Sequence, residues 1–176
     1  MAISRQILAE ASIMIALATS LDFISQLLPS LPQGGSFTFG AMVPIILFSV
    51  RHGYKYGIFC GFIFSIVSHV FSPPYIVTPI QYLLDYPIAF AALGLAGLPQ
   101  IKDNVFSSVF VALFGRFSAH FISGIVWFGE YAPEGTPVPL YSAIYNGSYM
   151  FVELIITLSI MYILWDRDIL KINLKN

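Results

Sequence analysis

The chain has 176 residues, 57% of them hydrophobic and 10% charged, with a net charge of −1 and a mean hydropathy of +0.81. Soluble domains carry roughly 25% charged residues, so this composition excludes an ordinary water-soluble fold and points to one compact domain in a lipid bilayer. Near-neutral charge, with no basic patch or nucleic-acid motif, excludes nucleic acid as a partner. Six spans of about 20 residues each use nearly the whole chain and leave no room for a soluble catalytic or nucleotide-binding domain.

The first helix is predicted from Ser4 to Leu28, with Pro29 and Pro32 stopping it. Glu10 and Asp22 interrupt its apolar run and no small-residue cleavage site follows cleanly, so it reads as a transmembrane helix rather than a signal peptide. A Pro/Gly/Ser-rich loop leads to a shorter helix over Phe39–Val50, a partial or tilted span. Arg51, His52 and Lys55 make a positive turn before a third helix over Tyr56–Phe71. Cys60 lies inside that run and reads as a buried, inert thiol; a single cysteine allows no intrachain disulfide. The fourth helix covers Pro79–Leu98 and contains Pro87, which should loosen its backbone bonding next to Asp85. The fifth runs over Val105–Phe128 and the sixth over Leu140–Trp165.

Of the eight Lys and Arg residues, only Arg116 falls in the interior of a predicted span. Arg5, Arg51, Lys55, Lys102, Arg167, Lys171 and Lys175 occupy the chain ends and every second connection. Cytoplasmic loops retain Lys and Arg, so both termini and these turns should face the cytoplasm, which requires an even number of spans. The fold expected is an all-α integral membrane protein with six transmembrane helices in one domain.

An ionisable residue within a span costs about 2.5–3.5 kcal/mol on insertion scales and is a functional candidate for that reason. Asp85, between Tyr82 and Tyr86, suits a buried organic cation, which would gain an ion pair and cation–π attraction. The alternative is an internal ion pair between Asp85 and Arg116. Arg116, His120, Gly124 and Phe128 are spaced by four and share one helix face. Gly124 there leaves space for a ligand or for a close helix contact. Asn146 can donate and accept, as reading a heterocycle edge requires. Glu153, seven residues on, reads as a structural hydrogen-bond partner on the same face, while Tyr141 and Tyr149 also fit an aromatic belt and His69 an interfacial position. Together these residues describe an outward-facing pocket for a small, flat, positively charged heterocycle. An intramembrane protease built on Ser123 and His120 is a remote alternative, because Phe121 breaks the Gly-x-Ser-Gly form. His52, His69 and His120 lack metal-ligand spacing, and there is no Walker A sequence.

Several segments carry a family likeness: Pro32–Ser36, Met42–Ile45, Tyr75–Val77, Leu84–Pro87, His120–Gly124, Tyr131–Gly135, Tyr141–Ser142 and Tyr145–Gly147. Taken in order, they resemble the substrate-binding S component of energy-coupling factor vitamin transporters, specifically the thiamine-specific members. The resemblance implies six helices in a bacterial plasma membrane, thiamine as ligand, and no cofactor. It further implies a transmembrane coupling subunit and two ATPase subunits as partners. By the same resemblance Asp85 would face the thiazolium, and His120, Tyr141 and Asn146 would hold the aminopyrimidine. Tyr75, Tyr86 and Phe128 or Trp127 would pack on the rings, and Arg116 matches a basic position that could favour phosphorylated forms. The segment Gln33 to Phe37 would act as a lid. Ser12 and Ala16, a small-xxx-small pair on the first helix, would dock on the coupling subunit or else serve internal packing. Asp85 stands where some members carry the longer Glu. An S component for a different vitamin or for a thiamine precursor is the main alternative; riboflavin or biotin would not need Asp85 as a counter-ion.

Overall fold

The structure, a computed structural model, describes residues 4–27 and 35–166. Pro29, Pro32, Gln33 and Gly34, together with Arg167, Lys171 and Lys175, lie outside the described residues. Six helical segments form one bundle: α1 (Arg5–Ser25), α2 (Val43–His52), α3 (Tyr54–Ser68), α4 (Pro79–Gly97), α5 (Val105–Trp127) and α6 (Val138–Asp166). Four of them (α1, α4, α5 and α6) are long and apolar enough to cross a membrane, while α2 and α3 are shorter apolar helices. At 1.5 Å per residue α2 reaches only about 15 Å, half of a hydrocarbon core, which fits the partial span expected there.

Local chemistry sets most boundaries. Ser4 caps α1 by accepting from the Ile7 N–H, and Asn104 caps α5 by accepting from the Ser107 N–H. Thr78 caps α4 the same way for Gln81, with Pro79 in the first turn where its missing N–H costs nothing. Helix α2 begins at Val43, four residues later than hydropathy suggests, because Gly40 adopts a φ of +85° and Pro44 opens the helix. A second positive-φ glycine, Gly53 at +92°, separates α2 from α3. Helix α1 ends at Ser25, before the predicted Leu28, and α3 runs two residues earlier at its start and three shorter at its end than predicted.

The core is built on α2, whose residues from Val43 to Val50 are all buried. Phe48, Phe64, Leu93, Val109 and Met161 bring α3, α4, α5 and α6 against it, and Cys60 is buried and free. Backbone meets backbone where α3 crosses α4. A Cβ added to Gly94 would collide with the backbone of Gly57 and Ile58, and one on Gly61 with the carbonyl of Phe90. Beside this contact, Ser49 Oγ of α2 donates to the Gly94 carbonyl at 2.5 Å. Such contacts let short helices pack tightly where lipid offers no hydrophobic driving force between them.

Helix α1 is the loosest element, with Leu8, Ile13, Leu17, Phe23 and Ile24 exposed. Polar clasps hold both its ends. At one end Glu10 pairs with Arg51 Nε at 3.1 Å and with His52 Nε2 at 2.9 Å. At the other, Ser72 Oγ donates to Asp22 at 2.7 Å, and Gln26 Nε2 donates to Ser72 and to the Phe71 carbonyl. Ser25 Oγ accepts the Phe39 N–H at 2.8 Å. Glu10→Gln leaves the partly buried Arg51 guanidinium with a neutral partner and changes the acceptor facing His52. We expect a loss of about 1–2 kcal/mol, between surface and buried ion-pair values, read as a lower unfolding midpoint of the purified protein.

These contacts also orient the bundle. Arg51, His52 and Lys55 gather at the end where α1 begins, and Gly97 at the end of α4 abuts the Ser49 carbonyl and the Tyr54 N there. Residues 35–38, and the segments joining α3 to α4 and α5 to α6, lie at the opposite end.

Candidate functional site

A cavity of about 360 Å³ occupies that opposite end, within the roughly 300–1,000 Å³ of small-molecule sites. Its walls come from every helix except α2. Asp22 of α1, Gln26 just past its end, Ser68 at the end of α3, and Gln81, Asp85, Tyr86 and Phe90 of α4 line it. Arg116, His120 and Gly124 of α5 and Tyr141, Ser142, Tyr145, Asn146 and Tyr149 of α6 complete the wall. The connecting segments add Gly35, Ser36, Thr38, His69, Ser72, Tyr75 and Phe128.

Asp85 enters this space because α4 changes its winding. Residues Leu84–Ile88 form a π-helical turn around Pro87. The ring removes one N–H and would crowd the carbonyl four residues back; the wider turn accommodates both. Three donors then converge on the Asp85 carboxylate. Gln81 Nε2 reaches Oδ2 at 2.6 Å, Ser123 Oγ reaches the same oxygen at 2.7 Å, and His120 Nδ1 stands 3.1 Å from Oδ1. The Asp85 side chain keeps 14% of its surface exposed to the cavity.

Arg116 settles the state of His120. Its Nε donates to His120 Nε2 at 3.2 Å. A guanidinium only donates, so Nε2 carries the lone pair and the ring proton sits on Nδ1, facing Asp85. The guanidinium itself lies over the Phe90 ring at 4.1 Å. The internal Asp85–Arg116 ion pair weighed from sequence does not form; His120 stands between them. Arg116, His120, Gly124 and Phe128 do share one face, and all four line the cavity. Gly124 also serves the helix contact, since a Cβ there would strike Ser142 Oγ on α6.

On α6, Asn146 lines the cavity with its amide already engaged. Nδ2 donates to the Ser142 carbonyl at 3.0 Å and to the His120 carbonyl at 3.3 Å, and Oδ1 accepts from Tyr149 at 2.7 Å. Both amide hydrogens are used, so a ligand acceptor would have to displace one of these bonds, while Oδ1 keeps a second lone pair for a ligand donor. Glu153, fully buried, accepts the Thr38 N–H at 2.5 Å, so its partner is the segment before α2 rather than Asn146. Tyr149 is buried, not a belt residue, and Tyr141 lines the cavity.

The aromatic wall is partly knitted by hydrogen bonds. The Tyr75 N–H donates to Tyr86 Oη at 2.8 Å, and the Tyr75 and Phe128 rings lie 6.2 Å apart. Phe128 lines the cavity; Trp127 is not among its lining residues. His69, expected at the interface, lines the cavity too, bonded through Nδ1 to Tyr82 Oη at 3.1 Å and edge-on to Tyr86. Of the predicted lid, Gly35 and Ser36 line the cavity, and Gly35 N–H donates to Tyr145 Oη at 3.0 Å. Ser12 and Ala16 lie elsewhere, on the exposed face of α1.

Sequence reasoning missed Gln81, Ser123, Tyr145 and Asp22 as lining or supporting groups. Gln81 is one turn before Asp85, and Tyr145 lies between Tyr141 and Tyr149 at the same spacing, so i, i+4 extension of the chosen residues finds both. The protease alternative loses its geometry. Ser123 gives its hydrogen to Asp85, and both nitrogens of His120 are engaged by Arg116 and Asp85.

The cavity thus offers an acceptor-rich carboxylate among aromatic rings, with a neutral imidazole and a buried guanidinium beside it. The family model described as thiamine transporter protein matches residues 8–172. The thiamine transporter ThiT of Bacillus subtilis is 38% identical over 172 residues, covering 90% of this chain and 89% of that protein. The thiamine transporter ThiT of Lacticaseibacillus paracasei is 29% identical over 140 residues, 70% of each chain. The solved structure of ThiT from Listeria monocytogenes superposes with a TM-score of 0.78 at 23% identity, covering 92% of this chain and 93% of that one, a likeness of fold.

Proposed function

The chain belongs to the thiamine transporter protein family, and from that premise we propose that its cavity captures thiamine on the outer side of a bacterial cell membrane. It is a multi-pass membrane subunit for thiamine uptake, not a catalytic enzyme. The Asp85 carboxylate is the counter-ion of the thiazolium, and Tyr75, Tyr86 and Phe128 pack on the rings. His120, Tyr141 and Asn146 hold the aminopyrimidine, with Asn146 exchanging one of its internal bonds for the ligand. Arg116 lies beneath, over Phe90, where a hydroxyl or phosphate tail meets a donor.

The observation that carries this reading is the placement of Asp85: a carboxylate held by three donors inside an aromatic-lined cavity. A desolvated organic cation needs such a partner close by, because an unpaired buried charge is strongly unfavourable. The position of Arg51, Lys55 and the Glu10 clasp at the far end supports an orientation with that end cytoplasmic and the cavity outward.

The chain does not itself supply energy in this scheme. A transmembrane coupling subunit and two ATPase subunits drive release inward, and the exposed small pair Ser12 and Ala16 on α1 is the docking face. The test is competition for radiolabelled thiamine on the purified protein. Unlabelled thiamine should displace the label, while riboflavin and biotin, which lack a fixed cation, should not at a hundredfold excess. Displacement by either neutral or anionic vitamin would assign the cavity to another ligand.

A further inference from the structure

Gln81 is fully engaged at the cavity wall and has no role among the ligand-contacting groups. It is 1% exposed. Its Nε2 uses both hydrogens, one on Asp85 Oδ2 at 2.6 Å and one on the Tyr75 carbonyl at 3.2 Å. Its Oε1 accepts the Val77 N–H at 2.8 Å. The amide has one possible orientation: turned over, its oxygen would face both the Asp85 carboxylate and the Tyr75 carbonyl, acceptor against acceptor. Tyr75 is held from its other side as well, since its N–H donates to Tyr86 Oη.

We propose that Gln81 is the positioning residue that locks the Asp85 carboxylate and the Tyr75–Val77 segment into one unit, setting where the cation-binding oxygen sits relative to the aromatic wall. The inference rests on thiamine being the ligand. Its physical basis is reach. Asp has one methylene fewer than Glu, so the carboxylate oxygens can travel little, and the donors around them decide their position. Ser123 and His120 come from α5, whereas Gln81 alone ties the carboxylate to the segment that carries Tyr75. Without it Oδ2 keeps Ser123, Oδ1 keeps His120, and Tyr75 loses its register against the carboxylate. Gln81 therefore acts on affinity through Asp85 and not through the ligand directly.

A double-mutant cycle separates this from a merely structural role. Thiamine dissociation constants are measured by titration calorimetry on the full chain for wild type, Gln81→Met, Asp85→Asn and the double variant. Hydrogen bonds to charged groups imply a loss of at least roughly tenfold for Gln81→Met in the wild-type background. In the Asp85→Asn background the same substitution should cost less than about threefold, because its target is gone. Gln81→Asn, which keeps an amide but cannot bridge Asp85 and Tyr75 together, should reproduce the loss and serves if Gln81→Met does not fold. Equal losses in both backgrounds, or no loss in the wild-type background, would overturn the positioning role while leaving thiamine binding intact. Absence of thiamine binding by the unsubstituted chain would overturn both.

Discussion

Asp85→Asn should abolish tight thiamine binding while leaving the ligand-free protein as stable as before. Truncating one partner of a buried, hydrogen-bonded charge pair costs about 2–5 kcal/mol, a loss of affinity of roughly 30-fold to several thousand-fold. Stability should not follow, because the free protein holds the carboxylate largely out of water, with 14% of its surface exposed. Asparagine keeps the shape, accepts from one set of donors and removes a partly desolvated charge. The two effects are readable in one experiment. Ligand binding raises the unfolding midpoint through RT ln(1 + [L]/Kd), so thiamine at about ten times the wild-type Kd should shift the wild-type midpoint clearly and the variant's hardly at all, from a similar baseline. A variant whose midpoint rises as far as the wild type's at that concentration would remove Asp85 as the counter-ion. A variant that collapses without ligand would make it a structural residue.

The second large effect lies far from the ligand. Gly94→Ala places a methyl group against the backbone of Gly57 and Ile58, which cannot swing aside as a side chain can. Overpacking typically costs 1–3 kcal/mol and sometimes more; with backbone as the obstacle we expect about 3 kcal/mol or more, seen as little folded protein or a much lower midpoint. Because α4 carries both Gly94 and Asp85, the surviving fraction should also bind thiamine more weakly. Gly135→Ala is the contrast. Nothing lies within 4 Å of its added Cβ, and only its φ of +79° resists the change, a cost of roughly 1 kcal/mol. Equal behaviour of the two variants would show that the α3–α4 contact has room to yield.

The helices were legible because each is an apolar run closed by a cap, a proline or a glycine. Pro87 marked the irregular turn in α4, although its π-helical form and the inward turn of Asp85 depend on packing. The stripe Arg116, His120, Gly124 and Phe128 follows from period alone, and all four reach the cavity. The pairing within it does not: sequence offers Arg116 as a partner for Asp85, but only the crossing of α4 and α5 puts His120 between them. From sequence Ser123 reads only as a nucleophile candidate and Gln81 only as a neighbour of Asp85 at i, i+4, since uncharged polar side chains inside helices are common and their role as donors appears only with Asp85 in place. Trp127 and Phe128 point about 100° apart, and choosing between them required knowing where α5 ends and which way it faces. Glu153 was recognised as structural; its actual partner, the Thr38 N–H, lies 115 residues away in sequence.

The central claim is that thiamine binds in this cavity with its thiazolium against Asp85, and a structure of the purified protein with thiamine tests it most directly. The thiazolium should lie within about 4–6 Å of the Asp85 carboxylate, packed on Tyr75, Tyr86 or Phe128, with the aminopyrimidine toward His120 and Asn146. Thiamine found at another site, or in this cavity with its thiazolium turned away from Asp85, would contradict it.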